Sequence, residues 1–379
     1  MLFKDIIGQE ALKKRLIQSV NDNRLSHGQL FTGPEGSGTL ALSIAYIQYI
    51  NCEARTAEDS CGICPSCIKY NKLAHPDLHF VFPVTSTKAV TGTNIKSDDF
   101  ILKWREAVVA NPYLSINNWY EAMGVENKQG IINVNDSDEV VKKLSLKAYE
   151  AEYKAMIIWM AEKMNTQAAN KLLKILEEPP DKTIFILISE QFGQLLATIT
   201  SRTQLIKVNK IDDKDMIKHL VEKQGLSEQN AGQVTFLASG NFNLAKNIMS
   251  EGGEDDFFTS NFITWMRLCY GARVPDVMQW LDVISKAGRE KQKSFFDYAL
   301  EMVRECLLLN YSPDKGLNRI NKNEAEFLKK FSPFIHGANC ILITEELNKA
   351  SYHIERNANP RILFLDLSLK LMKLLRIKA

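Results

Sequence analysis

The chain has 379 residues, too many for one compact core and enough for two or three domains. Its 47 Lys and Arg against 45 Asp and Glu leave a formal net charge of +2, so there is no blanket attraction to nucleic acid and any such contact needs a local basic face. No uncharged apolar run approaches the roughly 20 residues of a membrane span, and Met1-Leu2-Phe3-Lys4-Asp5 lacks the basic and apolar regions of a secretion signal.

The expectation is therefore a soluble cytoplasmic protein with no membrane partner. Its seven cysteines should be thiols or metal ligands, not disulfides. In chain order, His27 to Phe31 reads as a short buried strand and Leu40 to Ile50 as a helix, with Gly33-Pro34-Glu35-Gly36-Ser37-Gly38-Thr39-Leu40 between them. Strand, glycine-rich loop and helix are the setting of a P-loop. That motif needs glycines so that backbone N–H groups wrap a phosphate, a lysine to reach the β/γ-phosphates and a hydroxyl to ligate magnesium. Gly33, Gly36 and Gly38 are in place, but Thr39 stands where the lysine belongs and Leu40 where the hydroxyl belongs. The loop keeps its geometry without its cation or metal ligand, so neither ATP binding nor intrinsic ATPase activity is expected.

Four cysteines follow as Cys52-x8-Cys61-x2-Cys64-x2-Cys67. Thiolates presented from tight turns two residues apart, joined by one from the preceding helix end, can close a tetrahedral shell around Zn2+. With all four positions filled by protein, such a zinc is structural and not catalytic. The intervening Glu53, Arg55, Glu58, Asp59 and Ser60 are polar, which argues against a chance group of core thiols. Cys269, Cys306 and Cys340 stand singly in apolar helical contexts and read as core residues.

From about 84 to 129 the chain is polar and turn-rich, then carries Trp104, Tyr113, Trp119 and Tyr120. The expectation is a surface elaboration with a small hydrophobic cluster of its own. Interleaved aromatic and basic residues can bind single-stranded DNA, but Asp98, Asp99, Glu106, Glu121 and Glu126 dilute the charge here. Beyond it, Lys154 to Glu162 reads as a buried strand of the kind that, in P-loop ATPases, ends in acidic residues holding magnesium. Trp159 and Met160 occupy those positions, and Glu162 falls past the strand end. A second catalytic element is missing.

Asn165 to Pro180 forms an apolar-striped helix through Ala168, Leu172, Leu173 and Leu176, stopped by Pro179 and Pro180. Its ending Leu176-Glu177-Glu178-Pro179-Pro180 resembles the mark of sliding-clamp loader subunits. Ile7-Gly8-Gln9-Glu10, His75-Pro76-Asp77 and Thr200-Ser201-Arg202-Thr203 stand around it in the order found in bacterial clamp loaders. Zinc module, decayed P-loop and decayed acidic strand together resemble the delta-prime branch of the AAA+ clamp-loader family of DNA polymerase III. The resemblance covers most of residues 1 to 250; beyond that it rests on helical character and position.

The resemblance implies an α/β P-loop (AAA+) domain with a parallel sheet over 1–208, carrying the zinc module at 52–67 and the insertion at about 84–129. A small helical lid over 209–250 and an α-helical collar over 256–379 would follow. It implies that Ser201 and Arg202 supply an arginine finger in trans to ATP on a neighbouring subunit, Thr203 replacing the usual cysteine. Read without the family, Arg202 is a surface arginine. In Ala238 to Ala245, Asn243 takes the place of an arginine that would touch nucleotide, and Ser189, at the end of the strand Thr183 to Ser189, is given no sensing role. The implied partners are the ATPase motor and delta subunits in a hetero-pentamer, with the sliding clamp and primed DNA reached through that complex.

Acidic, glycine-rich 251–256 reads as a linker. Asn359-Pro360 starts a leucine-rich helix expected to be buried on nearly all sides, as a collar or an ordinary bundle core would require. Two other functions compete with a non-catalytic clamp-loading subunit. An ATP-hydrolysing motor of the same family must compensate Thr39, Leu40, Trp159 and Met160. A zinc-dependent DNA-binding protein needs a basic face, whereas Lys69 and Lys72 are offset by Glu53, Glu58 and Asp59.

Overall fold

A computed structural model describes residues 1–92, 94–125, 128–249, 254–311 and 322–377. The chain divides into two compact units, one built from 1–125 and 129–245 and the other chiefly from 246–379.

The first unit is organised by a five-stranded, all-parallel sheet: β1 (Gly28–Thr32), β2 (Leu78–Val81), β3 (Lys154–Trp159), β4 (Thr183–Ser189) and β5 (Gln204–Lys207), in the order β2-β3-β4-β1-β5. Continuous apolar runs such as Ile184 to Ile188 suit strands covered on both faces, and every residue of β3 and β4 is buried. Register is regular, with Leu30 opposite Leu187 on one side and Leu205 on the other. The loop after β1 therefore opens at the carboxyl ends of the central strands, the usual ligand end of an open parallel sheet. The helix leaving the loop runs Thr39–Ile50 and is buried along its whole length, which its apolar composition requires.

The aromatic part of the 84–129 segment belongs to the sheet unit's core and is not a surface elaboration. Its helices Ile101–Ala110 and Ile116–Met123 turn Trp104 and Trp119 fully inward. Trp104 stacks on Phe82 at 4.2 Å and lies 5.1 Å from Trp159 of β3, while Trp119 meets Phe82 edge-on at 5.0 Å and donates its indole N–H to the Pro83 carbonyl at 2.8 Å. The aromatics do not form a cluster of their own because β2 and β3 offer them an aromatic surface to bury against.

Helix Thr166–Glu177 starts at Asn165, whose side chain accepts the Ala168 N–H at 2.8 Å, and ends before the paired prolines as expected. Helices Asp213–Gln224, Glu228–Ala238 and Phe242–Met249 then follow.

The second unit is helical. Residues 251–253 of the expected linker lie outside the described residues, and its last three residues, from Glu254, belong to the helix Glu254–Tyr270. The core of this unit holds Trp265, Trp280, Phe295 and Phe364, with Trp265 and Trp280 stacked at 5.5 Å. Cys269 and Cys306 are buried in it; Cys340 is only half-buried because it opens the helix Cys340–Glu355 at the core's edge. The last helix, Pro360–Leu374, is capped by Asn359 as expected. It buries Phe364, Leu367 and Leu371 but leaves Ile362 and Leu369 exposed, so burial on nearly all sides is corrected to burial on one face.

The loop, the cysteine cluster and Arg202

Gly36 and Gly38 adopt φ of +69° and +85°, left-handed values that glycine takes without penalty, and these turn the chain tightly from β1 into the helix. Gly36 to Leu40 are all buried. What covers them is protein. A Cβ on Gly36 would stand 1.9 Å from Oδ1 of Asn241, and one on Gly38 would stand 2.6 Å from Cε1 of Tyr113. The Phe242 N–H donates to the Gly36 carbonyl at 3.2 Å, and Asn241 Nδ2 donates to Glu35 at 3.2 Å. Thr39 Oγ1 bonds Ser37 Oγ at 2.9 Å, inside the loop. Gly33 packs against the chain after β5, where a Cβ would come within 2.6 Å of the Val208 carbonyl.

Tyr113 and Asn243 join the pieces. The Tyr113 hydroxyl accepts the Ile7 N–H at 2.8 Å, its ring meets Phe242 at 5.0 Å, and its carbonyl accepts from Asn243 Nδ2. Burial pushes the Tyr113 phenol well above its ordinary pKa, despite the Ile7 N–H bond that opposes the shift. Nothing in the sequence near Tyr113 announces this position; Gly240-Asn241-Phe242-Asn243 was legible as a motif, but its partner was not. At the end of β3, Trp159 and Met160 are buried. Glu162 accepts the N–H groups of Glu190 and Gln191 at 3.0 and 3.3 Å, which makes it a cap for the turn after β4.

The four cysteine sulfurs all lie within 4.8 Å of one another. Tetrahedral zinc with Zn–S near 2.3 Å places its sulfurs about 3.8 Å apart, and Cys61 and Cys67 stand at 3.9 Å. The local sequence makes this possible. Cys52 follows the helix Thr39–Ile50; Gly62, at φ +75°, turns the chain after Cys61; Cys64 caps the helix Pro65–Asn71, whose third residue is Cys67. Cys61 N–H points at Cys52 Sγ (3.2 Å), Cys64 N–H at Cys61 Sγ (3.3 Å) and Cys67 N–H at Cys64 Sγ (3.4 Å). Such donors favour thiolates. Those of Ile63 and Cys64 hold the Cys61 thiol down at about 6, whereas burial outweighs the donors at Cys52, whose thiol is raised, and at Cys67, whose thiol is pushed up to about 12. The cluster can hold a zinc ion with no position left for water.

Near it, Asp77 of His75-Pro76-Asp77 accepts the N–H groups of Tyr149, Glu150 and Ala151 at 2.7 to 2.9 Å, and His75 Nε2 faces Glu150 at 3.3 Å. This motif fastens the 149–151 turn. Burial raises the Asp77 carboxyl, but the three N–H donors outweigh it and leave the pKa below its ordinary value.

Arg202 follows the short helix Ala197–Thr200, half-exposed. Its guanidinium is held by Glu177 of the Leu-Glu-Glu-Pro-Pro ending at 2.5 Å and by the Thr198 carbonyl at 2.9 Å. The Arg202 carbonyl lies beside Gly28, 3.1 Å from where a Cβ would be, at the amino end of β1. The loop begins at Gly33, five residues further along; at about 3.3 Å per residue this is roughly 16 Å away at the other end of the sheet. The structure thus separates Arg202 from this chain's own loop.

Residues 8–212 match the family described as DNA polymerase III, delta subunit. DNA polymerase III subunit tau of Bacillus subtilis is 21% identical over 96% of this chain and 60% of its own length. Subunit delta' of the same organism is 29% identical over 57% of this chain and 52% of its own length. Subunit delta' of Haemophilus influenzae is 25% identical over 77% of this chain and 74% of its own length. The chain thus spans between half and three fifths of the length of the two Bacillus relatives.

Proposed function

This chain belongs to the DNA polymerase III delta-subunit family, and from that premise we propose that it is a delta-prime-like, non-catalytic subunit of a sliding-clamp loader. Its sheet unit is an AAA+ wall that helps place the ring-shaped clamp on primed DNA. The helical unit serves as the collar joining it to motor and delta subunits in a hetero-pentamer. Cys52, Cys61, Cys64 and Cys67 hold a structural zinc that cross-links the end of the helix Thr39–Ile50 to the helix Pro65–Asn71.

The observation that carries the reading is the loop itself: Thr39 and Leu40 replace its chemical residues, and Asn241, Phe242 and Tyr113 pack on its glycines. Arg202 is the residue offered to the neighbour. Its distance from its own loop supports action in trans, and Glu177 keeps the guanidinium oriented until a phosphoryl group takes its place.

The test is ATP turnover by the isolated chain and by the reconstituted loader containing wild-type or Arg202→Ala protein. We expect none from the chain alone, and a DNA- and clamp-stimulated rate in the complex that falls on Arg202→Ala although the complex still assembles. Turnover by the chain alone would replace this reading with a motor subunit. An unchanged rate in an assembled Arg202→Ala complex would remove the finger.

A further inference from the structure

Glycines in a P-loop permit close approach to the backbone, and in this chain the approaching atoms belong to Asn241 and Tyr113. Tyr113 alone touches three segments far apart in sequence. Its hydroxyl binds Ile7, 106 positions away; its ring covers Gly38; its carbonyl accepts from Asn243, 130 positions away. Asn111 adds a bond from its Nδ2 to Asn243 Oδ1 at 3.0 Å. Tyr113 and Asn243 are 6% and 5% exposed, so these contacts form within the packed interior and are not surface bonds exchanged with water.

A lid closes on a ligand because the ligand touches both lid and loop in the closed state only. Here an internal segment makes such contacts. We propose that the 111–113 turn of the insertion is a built-in surrogate for a nucleotide, tying the N-terminal segment, the loop and the helix that begins at Phe242 into one closed body without any bound ligand. The lid is then a fixed part of the wall and does not respond to ATP. This rests on the non-motor reading above and adds the device that enforces it. It also gives the insertion a structural role, since the same two helices that bury Trp104 against Trp159 of β3, and Trp104 and Trp119 against Phe82, hold the turn over the loop.

The experiment is amide hydrogen exchange on the full chain, comparing wild type, Tyr113→Ala, Asn243→Ala and Tyr113→Phe, each with and without magnesium and ATP. Peptides over β3 and β4 report whether the sheet unit is folded. Asn243→Ala and Tyr113→Ala should speed exchange across 213–242 by about tenfold or more, with the sheet peptides unchanged. Tyr113→Phe keeps the ring and the carbonyl, so it should leave the lid protected and loosen the peptide containing Ile7. If Tyr113→Ala loses the protection of the sheet itself, Asn243→Ala and Tyr113→Phe still decide the matter. Lid exchange that stays at the wild-type rate in Asn243→Ala, with the sheet intact, overturns the proposal. So does added lid protection of the wild-type chain by ATP, because the site would then accept a nucleotide. These readouts come from the isolated chain, so they fail independently of the Arg202 experiment, which is read in the complex.

Discussion

Replacing Trp104 by alanine tests whether the insertion is part of the sheet unit's core or an appendage to it. The side chain is fully buried, stacked on Phe82 at 4.2 Å with 14° between planes, edge-on to Trp119 at 5.2 Å, and 5.1 Å from Trp159 of β3. Removing a buried Trp costs about 3–5 kcal/mol through lost transfer energy and the cavity left behind. The aromatic pairs belong to that cost, and pairs of this kind contribute ~0.5–1.5 kcal/mol each. With a urea m-value of about 3 kcal/mol/M, a loss of that size lowers the midpoint by roughly 1–1.7 M. The assay is urea unfolding by far-UV circular dichroism, with the sheet unit's transition assigned from exchange protection at Ile157 and Ile186. Trp104→Phe should recover part of the loss. A drop of less than ~1 kcal/mol in Trp104→Ala, the range of an ordinary surface site, would show that the insertion unfolds without taking the sheet with it and would refute the reasoning.

The cysteine cluster predicts one zinc per chain by metal analysis. Cys67→Ser, at a fully buried position, should lose the metal and lower Tm by roughly 10 °C, while Cys340→Ser keeps it; equal metal content in the two variants would sink the site. A pH dependence follows from His79 on β2, whose imidazole is held down at about 4, first by burial and then by the charge of Lys143. Its folded pKa lies below its unfolded value near 6.5, so between those limits the unfolded chain binds the extra proton. His79 therefore contributes stability that is complete above about pH 6.5 and is lost as pH falls toward 4. In urea midpoints measured across that window, His79→Gln should fall less steeply than wild type; parallel curves would count against it.

Elements and motifs written in contiguous residues were legible from the order of residues alone. Ile184 to Ile188 needs only its own apolar run to be a covered strand, Asn165 and Asn359 announce their helices through caps, and the two-residue cysteine spacing sets the turns that gather four sulfurs. That Thr39, Leu40, Trp159 and Met160 are not the lysine, hydroxyl and acidic pair of the ATPase motifs was equally plain, because a residue's identity is the same wherever it lies. Burial that depends on a distant partner was not. The aromatics of the insertion looked like a private cluster until the residue after β2, Phe82, and Trp159 of β3 met them, and the leucines of the last helix could not say which face would meet Trp265 and Phe296. Tyr113 reached Gly38, and Asn241 reached Gly36, only because the chain returned after gaps of roughly 75 and 200 positions. Sequence fixes which residues are apolar and how the backbone turns locally; which surface each one closes against is a long-range choice, settled when the strands, insertion and lid compete for the same buried space.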